Sequence, residues 1–417
     1  MCLCNTETKK KILILGGASA QVPLIRTAQE LGYYVVLCDY TSTNPGIFIA
    51  DKHYQENFRD SEKVLEIARK EGVGGVISNS EAAVPIVAYV AQTLGLTGST
   101  VESVKKLNSK IGFRELQVQA GVFAPKHIVT SSFEEAVEKV KELAFPIIIK
   151  PCRSSGSRGT EKIDDYETFL TFNEKWHNCS LYSLNKKVVF EEFVEMPSLD
   201  NIIDGDIFVM NDTIIWDGLF SSKRSSSAPM LPMTQTYPII LTPEELEEVK
   251  DTVTKIIRTA GITFGEFNIE LYYGKNHELF CIEINGRQGG NGIPEMIRKH
   301  CGINMYKLLV TTVMGDNSYL EEILSQKREY RFVSRHPVFS RVHGTYQGVE
   351  LSPEIKPFVT RVEDFFQRGQ LARPGEMARD KVALVDLEFE TREQQLYYVN
   401  IIEDHIKPVI MEVENDQ

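Results

Sequence analysis

The sequence has no excess of basic residues. Lys and Arg together number 46 against 58 Asp and Glu, and the formal net charge is -12. Because binding along a nucleic-acid backbone needs a basic face, we expect no nucleic-acid partner. No apolar run approaches the length of a membrane span. The first ten residues, MCLCNTETKK, also lack the apolar core of a signal peptide. We therefore expect a cytoplasmic protein that has no membrane partner.

Cysteine is scarce, and the number of cysteines is odd: seven are scattered over 417 residues. Cys2 and Cys4 form a CxC pair, but no second Cys/His pair follows at zinc-finger spacing, which disfavours a metal site there. Four others look like small buried hydrophobes in a reducing compartment, namely Cys38, Cys152, Cys281 and Cys301. Internal repeats and low-complexity tracts are absent, so the chain has the composition of an ordinary globular protein.

The first hundred residues alternate strand and helix. KILILGG, residues 11–17, is a continuous apolar run typical of a buried parallel strand. YYVVLCDY and GGVISN predict two more strands, with helices QVPLIRTAQELG and SEKVLEIARKEG between them. The pattern predicts a small doubly wound sheet. The glycines at 16 and 17 do not have GxGxxG spacing, so they favour a tight turn or a small-substrate contact over a dinucleotide site.

The remaining chain is long enough for further domains. Ser132 and Glu135 predict a capping box for the helix FEEAVEKVKELA. Thr242-Pro243 begins a second helix that ends at Gly261. From about residue 327 the segments RHPVFSRVHGTYQGVEL and DKVALVDLEFE read as strands, and TREQQLYYVNIIEDHI as helix. This predicts a small α+β unit at the C-terminal end.

The stretch CIEINGR, residues 281–287, carries the strongest chemical signal. Glu283, Asn285 and Arg287 are two residues apart, so on a strand they share one face, while Ile282 and Ile284 suit a core. Carboxylate and amide oxygens suit Mg²⁺, and an Arg beyond them can neutralise charge in a transition state. The alternative is a solvated polar face on a surface strand.

A second strand precedes this one, in FGEFNIELYYGKNHELFCIEIN. Asn268 and Glu270 share a face of the first strand, and a turn near residues 274–277 joins the two. If the strands pair as a hairpin, Glu270 meets Glu283 and Asn285 at one point. The hairpin therefore favours a metal site over an ordinary surface.

Upstream segments have features of a phosphate site. Lys150 ends the apolar strand FPIIIKP, and a charge in that position needs a partner such as a phosphate. The following CRSSGSRGT can present backbone N–H groups to phosphates, although a flexible surface turn fits the same residues. VVFEEFVE then runs from an apolar strand into acids, which also suits an edge strand.

Three residues are candidates for substrate contact. Glu81 follows the end of the strand GGVISN, where ligands bind in such sheets, but it also suits the first turn of a helix. Lys223 and Arg224 lie in SSKRSSSAPMLPMTQT, residues 221–236, which we predict as a loop joining two core strands. A cationic pair suits a substrate carboxylate or phosphate, while a disordered connection is the alternative.

These pieces occur in an order that resembles the ATP-grasp superfamily. The matching segments are SKIGFRELQ, FPIIIKP, SSGSRG, EEFV, Glu270 and EINGR, and the resemblance covers about residues 1–325. The chain looks most like the L-amino-acid ligases, and it is also similar to the large subunit of carbamoyl phosphate synthase and the purine-pathway ligases. The resemblance implies a Rossmann-like domain at 1–105, an ATP-grasp domain at 106–326 with subdomains 106–188 and 189–326, and a C-terminal α+β domain at 327–417.

The resemblance also implies roles for individual residues. Lys110 and Lys150 would contact ATP phosphates, with Lys150 and Arg287 acting in catalysis. The loop that would close over the phosphates contains Ser154, Ser155, Gly156, Ser157 and Gly159. The adenine hinge would be Glu191, Glu192, Phe193 and Val194, and Asp200 would be the ribose ligand. This acid departs from the family pattern, which has Glu, and PSLDN is slightly longer than usual. Glu270, Glu283 and Asn285 would hold two Mg²⁺ ions, or Mn²⁺ in their place. Position 268 is Asn where amino-acid ligases often have His.

The implied activity is ATP-dependent ligation of a small-molecule carboxylate to an amine, through an acyl phosphate, with release of ADP and phosphate. One alternative is activation of bicarbonate or formate by the same fold. Another is a nucleotide-binding regulatory protein without turnover. The sequence identifies neither the acid nor the amine, and a homodimer is compatible with it but not indicated by it.

Overall fold

A computed structural model describes residues 9–152, 159–183, 186–200, 202–225 and 231–412. The strands of these residues form four sheets. The first is parallel, with strand order β3-β2-β1-β4, and it shows the predicted alternation of strand and helix. Its elements are β1 Lys11–Leu15, α1 Val22–Glu30, β2 Tyr34–Cys38, β3 Lys52–Tyr54, α2 Ser61–Glu71, β4 Gly75–Ile77 and α3 Val84–Leu94.

The turn after β1 is held by Asp39. Its carboxylate accepts the Gly17 N–H at 2.7 Å and the Asn44 side-chain amide at 2.7 Å, and its other oxygen accepts the Thr41 N–H at 2.9 Å. Gly16 has φ +87°, a conformation that favours glycine. The glycines thus form a tight turn that the carboxylate of Asp39 stabilises.

The second sheet is antiparallel, with order β5-β8-β6-β7. Two helices precede it and three are interleaved with its strands. The elements are α4 Val101–Leu107, α5 Lys110–Gln119, β5 His127–Thr130, α6 Phe133–Lys139, β6 Ile147–Pro151, β7 Glu161–Ile163, α7 Tyr166–Leu170, α8 Asn173–Leu181 and β8 Val188–Glu192. Ser132 caps α6, because its hydroxyl accepts the Glu135 N–H, but the Glu135 carboxylate accepts the N–H of Ser131, so only half of the predicted capping box is present.

The third sheet begins with a long antiparallel ribbon and is followed by helices. The elements are β9 Ile202–Met210, β10 Thr213–Arg224, β11 Pro232–Tyr237, α9 Pro243–Ala260, β12 Phe264–Tyr273, β13 Leu279–Asn285, α10 Ile293–Cys301, α11 Met305–Val313 and α12 Ser318–Ser325. The predicted start at Thr242-Pro243 and the predicted end at Gly261 are both present in α9, and the structure adds a capping box between Thr242 and Glu245. The prediction of a loop over residues 221–236 is wrong at both ends of the segment, because residues 221–224 belong to β10 and residues 232–236 belong to β11. Ser221, Ser222 and Thr234 are buried there because the polar residues pair across the β10–β11 ribbon.

Three of the C-terminal strands extend this third sheet, and the other three form a separate sheet. The order of the third sheet is β13-β12-β9-β10-β11-β14-β18-β16, while β17-β15-β19 form a small fourth sheet. The remaining elements are β14 Phe332–Val338, β15 Gly344–Leu351, β16 Val359–Asp364, β17 Leu371–Ala372, β18 Ala383–Phe389, α13 Arg392–Asn400, α14 Ile402–His405 and β19 Ile406–Glu412. The proposed boundary at residue 327 stays a prediction.

One apolar core joins the N-terminal sheet to the helices after β13. Leu24 and Ile25 of α1 are fully buried in the same cluster as Leu308 and Leu309 of α11 and Phe220 of β10. The first sheet is therefore fixed against the third, and the carboxyl end of β4 faces the strands that carry the acidic motif. Cys38, Cys152, Cys281 and Cys301 are buried and free, as predicted. No helix among the described residues is long and apolar enough to cross a bilayer.

Burial of His336 makes folding sensitive to pH. The ring lies in β14, 2 % exposed, with Nδ1 2.6 Å from the Met233 carbonyl, and burial lowers its pKa to about 4. The unfolded chain has a pKa near 6.5 and binds the proton first, so stability is lost as pH falls from about 6.5 towards 4. Between pH 7.5 and pH 5, the free energy of unfolding should fall by about 2 kcal/mol more in the wild type than in His336→Gln.

Denaturant unfolding at the two pH values measures this difference. The exposed His343 provides the matched control, since His343→Gln should keep the wild-type pH dependence. Equal pH dependence in wild type and His336→Gln would show that His336 is not the responsible group.

Candidate active site

The hairpin β12–β13 brings the predicted metal ligands together. Glu270 lies directly opposite Glu283, and Asn268 lies opposite Asn285. The Asn285 amide donates to Glu283 Oε1 at 2.8 Å. The other face of β12 packs Phe267, Ile269 and Leu271 into the core, as alternation along the strand requires. Two carboxylates and one amide oxygen therefore face one point.

A β-bulge corrects one detail of the prediction. The register shifts between Glu270 and Leu271, so that Leu271 pairs with Cys281 and one residue of β13 is left over. Such a bulge reverses the side-chain alternation. Ile284 enters the large core, but Ile282 packs instead in a small cluster with Val194, Tyr272 and Phe280. The expectation that Ile282 and Ile284 share a core face is wrong.

The small cluster of Val194, Tyr272, Phe280 and Ile282 is apolar, and it lies next to the paired carboxylates of Glu270 and Glu283, called the acidic floor below. Val194, from the predicted adenine hinge, packs there, and its carbonyl accepts the Tyr272 hydroxyl at 2.7 Å. The N–H groups of Glu192 and Phe193 donate to the carbonyls of Lys126 and Pro146, each at 2.9 Å. These two N–H groups are thus occupied within the protein, and Val194 contributes an apolar surface.

Glu191 is the centre of a buried ionic cluster. Its carboxylate lies 3.1 Å from Arg114 and 2.5 Å from Lys150, and all three side chains are at most 9 % exposed. Burial, together with the charges of Arg114 and Lys110, lowers the pKa of Lys150 to about 8 against the opposing effect of Glu191. Arg114, Lys150 and Lys110 outnumber the single carboxylate of Glu191. This cationic wall therefore suits an anion such as a phosphate.

Arg114 connects this cluster to the β12–β13 hairpin. Its guanidinium also donates to the carbonyls of Cys281 and Ile282, each at 3.2 Å. One side chain of α5 thus links β8 to β13. This role of Arg114 was not predictable, because a charged residue within the helix KIGFRELQVQ is ordinarily exposed.

Lys110 begins α5, and its backbone N–H donates to the Cys152 carbonyl at 3.3 Å, just after β6. Its charge lowers the pKa of Lys150 on one side and that of Glu81 on the other. Glu81 is 3.8 Å from the Arg287 guanidinium, and burial is the main cause that raises its pKa. Glu81 also begins a short 3-10 helix, as the alternative interpretation expects, and its predicted substrate contact stays a prediction.

The pair Lys223 and Arg224 faces acids rather than open solvent. Lys223 lies 3.1 Å from Asp200, and Arg224 lies 2.8 Å from Glu270. Neighbouring residues on a strand normally point to opposite faces, but the register shifts between these two. Their predicted substrate role stays a prediction, as does that of Asp200 as ribose ligand.

A second group of acids lies beside the predicted metal ligands, on β12 and the neighbouring strand β9, and was missed. Asp204 and Asp206 of β9 each accept from the Asn268 amide, at 3.2 and 3.0 Å, and Glu266 of β12 accepts from Gln288 at 2.7 Å. Burial raises the pKa of each carboxyl group. A signal was present, since Glu266, Asn268 and Glu270 have the same two-residue spacing as EINGR.

The loop after β13 is held by partners on both sides. Asp206 accepts the Gly289 N–H at 2.9 Å, and Arg335 donates to the Asn291 carbonyl at 2.6 Å and the Gly292 carbonyl at 2.9 Å. Arg335 is fixed in turn by Asp386 at 2.6 Å. This network positions the chain that carries Arg287.

The set of oxygen donors fits a divalent cation in part. The described residues contain no group of three or more His, Cys, Asp and Glu placed to hold a metal. Glu270, Glu283 and Asn285 supply two carboxylates and an amide, which suits Mg²⁺ because it keeps several water or phosphate ligands. Burial and the charges of Asp204 and Glu283 raise the pKa of Glu270, to about 7, which a bound cation would reverse. Ser154, Ser155, Gly156 and Ser157 lie outside the described residues.

The carboxylates of Glu270 and Glu283 form the acidic floor, and Lys150 and Arg114 belong to the cationic wall. Together they are the arrangement of a nucleotide-binding fold. Residues 143–295 match the ATP-grasp domain family. The chain therefore contains the predicted ATP-grasp domain over these residues, which are less than half of its length. A relative from Aquifex aeolicus, the C-terminal section of a carbamoyl phosphate synthase large chain, is 27% identical over 344 residues, covering 76% of this chain and 60% of that protein. The chain spans less than two thirds of the length of this relative.

Solved structures share the fold over nearly the whole chain. An L-amino acid ligase from Bacillus licheniformis superposes with a TM-score of 0.78 at 18% identity, covering 97% of this chain and 99% of that one. The biotin carboxylase domain of a Hydrogenobacter thermophilus 2-oxoglutarate carboxylase, in complex with MgADP, ADP and bicarbonate, gives 0.71 at 17%, covering 97% and 91%. The predicted mixed α/β and α+β fold class is confirmed.

Proposed function

We propose that the protein is an ATP-dependent ligase that joins a carboxylate to an amine through an acyl phosphate. The observation that carries the proposal is the pairing of Glu270 with Glu283, with Arg287 on the same chain segment. Lys150 belongs to the ionic cluster that Arg114 links to this hairpin. Phosphoryl transfer requires charge neutralisation and positioning more than covalent chemistry by the protein. The site supplies both.

Each side chain has a role in the proposed reaction. Lys110 and Lys150 bind the phosphates of ATP, and the apolar cluster around Val194 takes the adenine. Glu270, Glu283 and Asn285 would hold Mg²⁺, which supplies charge neutralisation at the phosphate oxygens when bound. We propose two ions, with Mn²⁺ as a substitute. Ser154–Gly159 would cover the phosphates and exclude water.

In the proposed reaction, Arg287 stabilises the negative charge that develops as bonds form and break. The carboxylate oxygen of the substrate attacks the γ-phosphorus, and the bond to ADP breaks. The amine nitrogen then attacks the acyl carbon, phosphate leaves with the bonding electron pair, and the amine loses a proton. The guanidinium can donate to the oxyanion of the tetrahedral intermediate. Glu81, at 3.8 Å, holds that guanidinium in place.

ADP release over pairs of amino acids, with mass detection of the product, tests the proposal. We expect turnover only when a carboxylate and an amine are both present, with a product lighter than their sum by one water. Turnover with bicarbonate alone would favour the alternative activity, which the bicarbonate-bound fold neighbour supports. Nucleotide binding without any ADP release would leave a regulatory protein, and would overturn both.

The proposed partners are small molecules, and we propose a cytoplasmic location. A homodimer is a further proposal, supported by the fold neighbour from Hydrogenobacter thermophilus, which is described as a dimer. Sedimentation at micromolar concentration decides it.

A further inference from the structure

We propose that Arg114 is a positioning residue: by pairing with Glu191, it leaves Lys150 with a surplus positive charge for the phosphates of ATP. The inference rests on the proposed function and adds a residue that acts on the nucleotide only through another residue. Arg114 lies in α5, while Lys150 and Glu191 lie in the paired strands β6 and β8. One helix and two strands therefore meet in this cluster.

Both oxygens of the Glu191 carboxylate are engaged by cations. Oε1 lies 3.1 Å from Arg114 Nε, and Oε2 lies 2.5 Å from Lys150 Nζ. Burial opposes the negative charge of Glu191, but Lys150 and Arg114 lower its pKa to about 2, so it stays ionised at neutral pH. Two cations thus share one carboxylate, and with Lys150 protonated these three side chains carry one positive charge in excess.

The guanidinium of Arg114 is also held by neutral partners. Its Nη1 donates to Gln117 Oε1 at 2.6 Å and to the Cys281 carbonyl at 3.2 Å, and its Nη2 donates to the Ile282 carbonyl at 3.2 Å. The Phe280 ring lies 4.8 Å from the guanidinium carbon. Each nitrogen of the guanidinium therefore has a partner within the protein, so Arg114 itself is not the group that meets a phosphate.

Lys150 is the most exposed member of the cluster. Its side chain is 9 % exposed, against 2 % for Arg114 and 1 % for Glu191. An ammonium group has three N–H donors, and the contact with Glu191 uses one of them. The surplus charge of the cluster is therefore presented by Lys150, which can donate to phosphate oxygens.

The charge of Arg114 decides whether this surplus exists. Without it, Glu191 and Lys150 would form a one-to-one pair with no net charge, in a buried place where opposite charges attract strongly. A phosphate would then compete with Glu191 for the same ammonium group. Loss of one charge-assisted contact weakens binding about tenfold or more. Arg114 thus favours phosphate binding without contacting the nucleotide.

ATP and adenosine together test the inference, because adenosine has no phosphate for Lys150 to bind. Titrations of the full chain in Mg²⁺, without acid or amine, measure both dissociation constants. Arg114→Gln should weaken ATP binding about tenfold and change adenosine binding by less than about twofold. Arg258→Gln, the same change at an exposed position of α9, should leave both constants unchanged.

A second variant separates the charge of Arg114 from its contacts with β13. Arg114→Gln/Glu191→Gln removes both members of the ion pair, so Lys150 regains the surplus charge while the contacts with the β13 carbonyls stay lost. ATP binding should return to within about threefold of wild type, because the two substitutions compensate each other. The double variant also covers the case in which Arg114→Gln does not fold, since it leaves no unpaired buried charge at Glu191.

A structural role for Arg114 predicts different results. Equal losses of ATP binding in the single and double variants, or parallel losses of ATP and adenosine binding in Arg114→Gln, would overturn the inference. Unchanged ATP binding in Arg114→Gln would overturn it as well. The proposed function fails separately: a wild type that binds ATP but releases no ADP with any acid and amine would overturn ligation and leave the role of Arg114 in ATP binding intact.

Discussion

Glu283→Ala is expected to abolish ATP turnover while the protein stays folded. Glu283 lies opposite Glu270 and accepts from Asn285, so its removal leaves one carboxylate to hold the proposed metal. Metal ions supply several kcal/mol of charge stabilisation in phosphoryl transfer. A loss of about 4 kcal/mol corresponds to a rate roughly a thousandfold lower. ADP release at saturating ATP and Mg²⁺ measures it.

Folding should be little affected, because the substitution also removes like-charge repulsion with Glu270 in a crowded acidic site. The melting temperature of the variant should therefore match or exceed that of wild type. Glu278→Ala, beyond the turn of the same hairpin, is the control and should keep full turnover. Full activity in Glu283→Ala would exclude the proposed metal site.

Arg287→Ala should reduce the rate of ligation by a factor of about 10²–10³. This corresponds to roughly 2.7–4 kcal/mol, the loss typical of removing one donor to an oxyanion. The guanidinium has few other tasks in the fold, since its contacts are Glu81 at 3.8 Å and the carbonyl of Gln288. The effect should appear in kcat more than in KM, because the charge exists only in the transition state.

Two further variants sharpen this test. Arg287→Lys keeps the charge but loses the planar fork of donors, and should fall between alanine and wild type. Arg298→Ala changes an exposed Arg of the next helix and should keep full activity. A loss in KM alone for Arg287→Ala would assign the residue to substrate binding instead of to the acyl-transfer step.

Local patterns in the sequence predicted much of the fold. The capping box and terminal glycine of α9 specify its ends within the chain itself. The acidic hairpin was predictable for two reasons. Alternation along a strand places Asn268 and Glu270 on one face. The short turn that follows makes the next strand, which carries Glu283, the nearest pairing partner. The order of motifs then indicated the ATP-grasp domain.

The parts that could not be predicted depend on contacts distant in the chain. Arg114 is buried because Glu191 and the carbonyls of β13 surround it, and none of these is near it in sequence. The bulge that moves Ile282 depends on the register of two paired strands. The network of Arg335 and Asp386 joins residues from the last sheet strands to the loop after β13.

The shared core of α1 and α11 has a consequence for synthesis. Leu24 and Ile25 pack in one cluster with Leu308 and Leu309, so the first sheet leaves the ribosome long before its packing partners exist. Until α11 emerges, the nascent N-terminal segment exposes an apolar face that invites aggregation. Contacts so distant in sequence also slow folding. We expect the N-terminal sheet to reach its final packing late. We also expect the nascent chain to need protection of its exposed apolar face during translation.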